Sequence, residues 1–191
     1  NTGGAAMIIN NRRNLSLLLL VLCVTGACSN GIGSNNTAQI DARVDATLNA
    51  MYEIYPSTEQ LASKASGMLI MPLITEGGFG IGAGFGRGAL RVGDSNVDYY
   101  SAVSASAGFQ IGAQQYSHVL FFMTESALED FRKSSGWAAG ANVEYVYKDQ
   151  GNSLTADTTT TLSPVVAVIF AQVGLRLGVT LDGIKYMRII P

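Results

Sequence analysis

Beyond residue 28 the chain contains no cysteine. Both thiols, Cys23 and Cys28, sit near the N-terminus, which removes disulfides, thiolate zinc sites and cysteine nucleophiles from everything that follows. The single histidine, His118, lies in the apolar run SHVLFF, where a packed or surface ring is the ordinary reading and a general base or metal ligand the rare one. Charged residues make up 14% of the 191 positions and the net charge is −2, so the basic footprint that nucleic acid requires is absent. No G-x-x-x-x-G-K-[ST] occurs, and the densest glycine stretch has the wrong spacing for G-x-G-x-x-G. Asp94 and Asp98 stand isolated beside a turn, Glu129 and Asp130 read as a solvated helix face, and Ser101, Ser104 and Ser106 lack a G-x-S-x-G setting. The expectation is a protein that is not an enzyme and uses no metal or cofactor.

Glycine, by contrast, is abundant, with 22 residues. In GGFGIGAGFGRG, residues 77–88, every even position from Gly78 to Gly88 is glycine. A period of two is the period of a β-strand, so one face is bare backbone and the other carries side chains. Six interior glycines cost roughly 3–6 kcal/mol against alanine. A strand bearing that cost should have a helix, a second sheet or a ligand close against its glycine face. Related patterns return at Gly108–Gln114, at Gly174–Thr180 and, in degenerate form, at Gly140–Glu144. Their unequal spacing rules out a solenoid and suggests strands of one antiparallel sheet sharing a small-residue face.

The N-terminal region is of another kind. After Met7 come Arg12 and Arg13, then an apolar run from Leu15 to Val24, then Thr25-Gly26-Ala27-Cys28. A basic start, an apolar stretch of about ten residues and small residues before a cleavage point make a secretory signal, and the run is too short to span a bilayer. Gly-Ala-Cys at this place resembles a bacterial lipobox, although Thr25 stands where Leu or Val is usual. The resemblance implies acylation of Cys28, a permanent membrane anchor, and Ser29 in the next position implies the outer membrane, facing the periplasm. The expected division is therefore 1–27 upstream sequence and signal, 28–38 lipidated cysteine and flexible tether, and 39–191 a single domain. Loss of residues 1–27 leaves 10 basic against 14 acidic residues, net −4.

Within that domain, Ile40, Val44, Leu48, Met51 and Tyr55 fall at helical spacing until Pro56 ends the run. Ser57–Gln60 has capping-box character and predicts a short helix to about Ala65, and Ser126 with Glu129 predicts another over 124–134. Strands are expected from Met68 to Ile74, with Pro72 at an edge or bend, through the glycine stretch to Val92, from Val97, and from Ser117 to Met123. Further strands are expected over 141–148, 164–171, 174–181 and 184–190, with Gly93–Asn96 as a turn and Leu181-Asp182-Gly183-Ile184 as a tight hairpin. The fold class is α+β: a mostly antiparallel glycine-rich sheet, barrel or sandwich with an N-terminal amphipathic helix and one or two short helices.

Met71-Pro72 before GGFGIGAGFGRG, then Tyr100-Ser101, Gly108–Gln114, Ser135-Gly136-Trp137 and Asp157–Thr160, resemble the SYLF domain over roughly residues 38–190. The resemblance implies phosphoinositide and phospholipid binding. In the yeast actin-patch regulators the domain also binds actin, an activity not expected here, where no SH3 or FYVE module accompanies it. A phosphate-binding role needs exposed cations. Arg87, flanked by glycines, is the first candidate, with Lys64, Arg91, Arg176, Lys185 and Arg188 as supplements and Asp94 or Asp98 as ion-pair partners that would make Arg87 an ordinary surface residue. Two functions are then open: a phospholipid-binding envelope lipoprotein, or an interaction lipoprotein that binds a protein or glycan and touches lipid only through Cys28.

Overall fold

The computed structural model describes residues 37–139, 143–146, 163–174, 181 and 183–191. The chain divides into two compact units, Asn1–Asn35 and Asn36–Pro191, and the second contains every described element. The signal segment, Cys28, Arg176 and the Asp157–Thr161 run all lie outside the described residues.

Helix α1 spans Thr37–Ile54 and buries the expected stripe Ile40, Val44, Leu48 and Met51; it takes its first two residues from the segment expected to be tether. Helix α2, Thr58–Lys64, starts after Ser57, but no capping box forms. Ser57 is in the helical region and makes no side-chain cap bond. Thr58 Oγ1 instead donates to the Tyr55 carbonyl at 2.6 Å. Helix α3, Glu125–Lys133, is capped not by Ser126 but two residues earlier, by Thr124, whose hydroxyl accepts from the Ala127 N–H at 3.2 Å. Glu125 in its first turn and Arg132 and Lys133 in its last complement the helix dipole.

The strands expected as separate pieces fuse into two very long ones, β1 (Gly67–Val92) and β2 (Ser95–Phe122), joined by the two residues Gly93 and Asp94. Gly93 supplies the left-handed conformation of this turn, with φ +57°. The first two copies of the glycine pattern pair directly, Gly78 opposite Gly112. The other edge of β2 is divided: residues 114–122 pair with β5 (Val165–Gly174) and 99–104 with β6 (Ile184–Ile189), both antiparallel. Short strands β3 (Trp137–Ala138) and β4 (Val143–Val146) extend the sheet beyond β6 and β5, the last pair parallel.

Alternation along these strands builds two cores, one on each face. Met68, Ile70, Val119, Phe121, Val166, Val168 and Phe170 pack with the α1 stripe and Leu61 of α2. Leu69, Met71, Leu120, Phe122, Ala167 and Ile169 point the other way, into a core shared with α3 and with Ile184 and Tyr186 of β6. Each fully buried large side chain contributes about 1.5–3 kcal/mol relative to exposure, so a double-faced sheet fixes its register strongly. A register shift between Met71 and Ile74 swaps the parity of β1, so that inside residues are odd before it and even after it. Pro72 sits in this bulge, where no ladder N–H is needed, and its carbonyl accepts from Ser117 Oγ at 2.6 Å. A second shift lies between Phe79 and Ile81.

These bulges bend β1 back across itself, and the strand supplies its own cover for the glycine face. A Cβ on Gly86 would overlap Ile74 Cδ1 and come 2.5 Å from the Leu73 carbonyl oxygen, and one on Gly88 would overlap the Ile70 carbonyl oxygen. The occupant of the glycine face at 84–88 is therefore the first half of the same strand.

Candidate functional site

Since the glycine side is filled by the chain itself, the side of β1 left for other partners is the one bearing Ala83, Phe85 and Arg87. Register partners in an antiparallel ladder project to the same face. Phe85, Val103 and Lys185 therefore form one row across β1, β2 and β6, continued by Ala138 of β3. Arg87, Ser101 and Met187 form the next. The following row, Ala89, Tyr99 and Ile189, meets helix α1: Tyr99 donates to Asp41 Oδ1 at 3.0 Å, and Ala89 and Tyr99 join the helix-side core. Beyond that row the described side chains of this face are exposed or half-buried, except Ser101, which is buried. Val103 is 38% exposed, and Ala83, Ala105, Ala138 and Lys185 are exposed as well.

Two of the cations expected from the sequence thus share one face. Arg87 sits over the Phe85 ring, 5.6 Å from its centroid, a cation–π arrangement that leaves an apolar plane beneath a charge. Lys185 lies two strands and two residues away, about 12 Å at ordinary sheet spacings. Its stem runs beside Gly136, where an added Cβ would meet Lys185 Nζ at 3.0 Å.

The remaining candidates go elsewhere. Arg91 is tied to Asp45 of α1 at 2.5 Å and to Asn96 Oδ1 at 2.9 Å, while Asn96 donates to Asp41 at 2.7 Å; it fastens the hairpin to the helix. Burial first, and the Asp41 carboxylate second, push the Tyr99 hydroxyl above its ordinary range at this junction. Lys64 is exposed in the last turn of α2, on the helix layer. Arg188 projects to the opposite face, where it pairs with Asp98. Asp98 also holds Arg132 at 3.1 Å, so its partners are these two arginines and not Arg87, and Asp94 is exposed at the hairpin turn.

The interior carries polar groups as well. Glu76 fills the space that Gly84 leaves by having no side chain, a Cβ there coming 2.6 Å from Glu76 Cγ. Its carboxylate accepts from Gln114 Nε2 at 2.6 Å, Tyr116 Oη at 2.7 Å and Ser104 Oγ at 3.3 Å. His118 is fully buried, with Nε2 2.8 Å from the Tyr186 hydroxyl, and burial lowers its pKa to about 3. It is a neutral core residue. Trp137 joins Phe122, Phe131 and Tyr186 in an aromatic cluster, 5.5 Å from Phe131 and 5.8 Å from Tyr186. Among the described residues no group of three or more histidine, cysteine, aspartate or glutamate side chains could hold a metal ion, and no helix is long and apolar enough to cross a membrane.

Sequence reasoning did not find the apolar companions Phe85, Val103 and Met187, nor Arg132. Alternation in FGRG and SAVSAS puts Phe85 and Val103 on one side of their strands, but the cross-strand register that aligns them cannot be read from either segment alone. Arg132 reads in the sequence only as a base in the last turn of a helix.

The sheet with its bent two-strand hairpin and helical cover defines a glycine-rich α+β domain. Residues 103–188, from the middle of β2 to the end of β6, match the family model Ysc84, described as Las17-binding protein actin regulator. The match covers less than half of the chain, and over that segment it agrees with the SYLF resemblance of the sequence. No curated protein matches the chain.

Proposed function

We propose that residues 36–191 are a non-enzymatic module that binds anionic phospholipid surfaces through the outer face of β1, β2 and β6. One observation carries this reading: Arg87 and Lys185 share one sheet face, set among Phe85, Val103, Met187 and three exposed alanines. Neither row contains an acid. Such a face meets lipid phosphates with its cations while its small apolar side chains settle at the headgroup boundary. The SYLF resemblance of the sequence, which implies phospholipid binding, supports the same reading. In this proposal acylated Cys28 tethers the module to the bacterial envelope, at the outer membrane and facing the periplasm, so the domain acts at a surface it never leaves.

Co-sedimentation of residues 36–191 with neutral and with anionic vesicles tests it. Binding confined to anionic vesicles and falling steeply with salt is expected. Absence of binding at every composition would sink the lipid reading in favour of a protein or glycan partner. The family description, which names a protein-binding actin regulator, is the observation behind that second reading.

A further inference from the structure

On the other side of the sheet, Asp98 is 3% exposed at the hairpin end of β2. Its Oδ2 accepts from Arg132 Nε of α3 at 3.1 Å, and its Oδ1 pairs with Arg188 Nη2 of β6. Arg188 and Tyr100 are register partners, so Asp98, Tyr100 and Arg188 line the same face. Phe131 holds α3 there, its ring 4.7 Å from that of Tyr100. Two guanidinium groups thus converge on one carboxylate, leaving a surplus positive charge.

Each arginine uses one nitrogen on Asp98, and a guanidinium carries five N–H donors in a planar fork. Among the described residues no second acid pairs with either arginine, and their side chains remain 45% and 61% exposed. Glu129, one turn before Arg132, is engaged by Lys133 at 2.6 Å. A second observation points the same way. The Tyr100 hydroxyl is buried without a hydrogen-bond partner and lies within the field of Asp98, Arg188 and Arg132.

The geometry points to a phosphate-binding site in which Arg132 and Arg188, held side by side by Asp98, present their free edges to a phosphate monoester. Bidentate guanidinium–phosphate pairing is the strongest use of such forks. Asp98 immobilises both side chains beforehand, which lowers the ordering cost of binding. The surplus charge favours the dianion over a diester monoanion. This site is independent of the Arg87–Lys185 face, which projects from the opposite side of the sheet. The monoester chemistry is shared by inorganic phosphate and by the head group of phosphatidic acid.

Titration of the full chain with inorganic phosphate, following the arginine Nε–H resonances at constant ionic strength, tests the site. A saturable shift of two such resonances is expected with phosphate and none with chloride. Arg132→Gln should abolish it, while Lys133→Gln should leave it unchanged. Vesicle binding then separates the sources. If Arg132→Gln weakens binding to phosphatidic acid roughly ten-fold and leaves phosphatidylglycerol unaffected, the ligand is the lipid head group. If only the free-phosphate response is lost, the ligand is soluble phosphate. Should Arg132→Gln fail to fold, the wild-type titration still decides: shifts that do not saturate, or that chloride reproduces, would overturn the proposal.

Discussion

Gly88 lies directly against the main chain of Ile70, eighteen residues earlier in the same strand. Any Cβ at this position would collide with a carbonyl oxygen and come 2.7 Å from Met71 Sδ, and backbone cannot rotate aside as a side chain can. Gly88→Ala is therefore expected to destabilise the domain by about 3 kcal/mol or more. Gly136→Ala, whose clash is with the flexible end of Lys185, should cost less than about 0.5 kcal/mol. Urea unfolding of the two variants checks the ranking. Equal effects would mean that the bend of β1 over itself is wrong.

His118 makes stability depend on pH in a defined direction. Its folded-state pKa of about 3 lies below the ordinary value of 6.5, so between these values the unfolded chain binds the extra proton. Stability is then full above pH 6.5 and falls as the pH drops toward 3, with a slope approaching about 1.4 kcal/mol per pH unit. Urea midpoints measured across this window should fall less steeply in His118→Gln than in the wild type. A histidine that titrates above pH 6 in the folded protein contradicts this.

Arg87 and Arg91 are four residues apart and should respond oppositely to mutation. Arg91→Ala removes the bonds to Asp45 and Asn96 and is expected to lower stability by roughly 1 kcal/mol, leaving vesicle binding intact. Arg87→Ala, or Lys185→Glu, should lower anionic-vesicle binding several-fold and flatten its salt dependence with little change in unfolding midpoint. Paired denaturation and sedimentation measurements separate the two residues.

Among the described residues Asp98 is the most buried carboxylate, and it holds two arginines. Asp98→Ala frees Arg132 and Arg188 into solvent, so the loss falls below that of a fully buried triad, about 1–3 kcal/mol. Thermal unfolding gives this value. The same variant should loosen the docking of α3, read as faster amide exchange in residues 125–133.

Much of this architecture is legible in the sequence, and what is not has a physical reason. The 3.6-residue stripe of α1 and the period-two glycines identify a helix and a strand because each pattern depends on residues close in sequence. The glycines also announce a close neighbour. That the neighbour is Ile70–Ile74 of the same strand depends on the bulges at Pro72 and Phe79, and a parity change is invisible until the partner strand is known. The cations were visible as residues, but only the register sorts Arg87 and Lys185 to one face, Arg188 to the other and Arg91 to the helix. The capping threonine of α3 was within reach, since Thr124 precedes Ala127 at the spacing a cap requires.

The two-residue link between β1 and β2 imposes an order in time on the sheet. The strands it joins are adjacent in sequence and pair from Val92–Ser95 to Gly67–Phe122, whereas β5 and β6 must be recruited from far downstream onto the opposite edge of β2. Loop closure favours the local pairing first, so the hairpin acts as a template on which the later strands are laid. Pulse-labelled amides of residues 88–100 should gain protection before those of β6. A chain interrupted after β2 would present an unfilled pairing edge along most of that strand, the state most exposed to association with other copies.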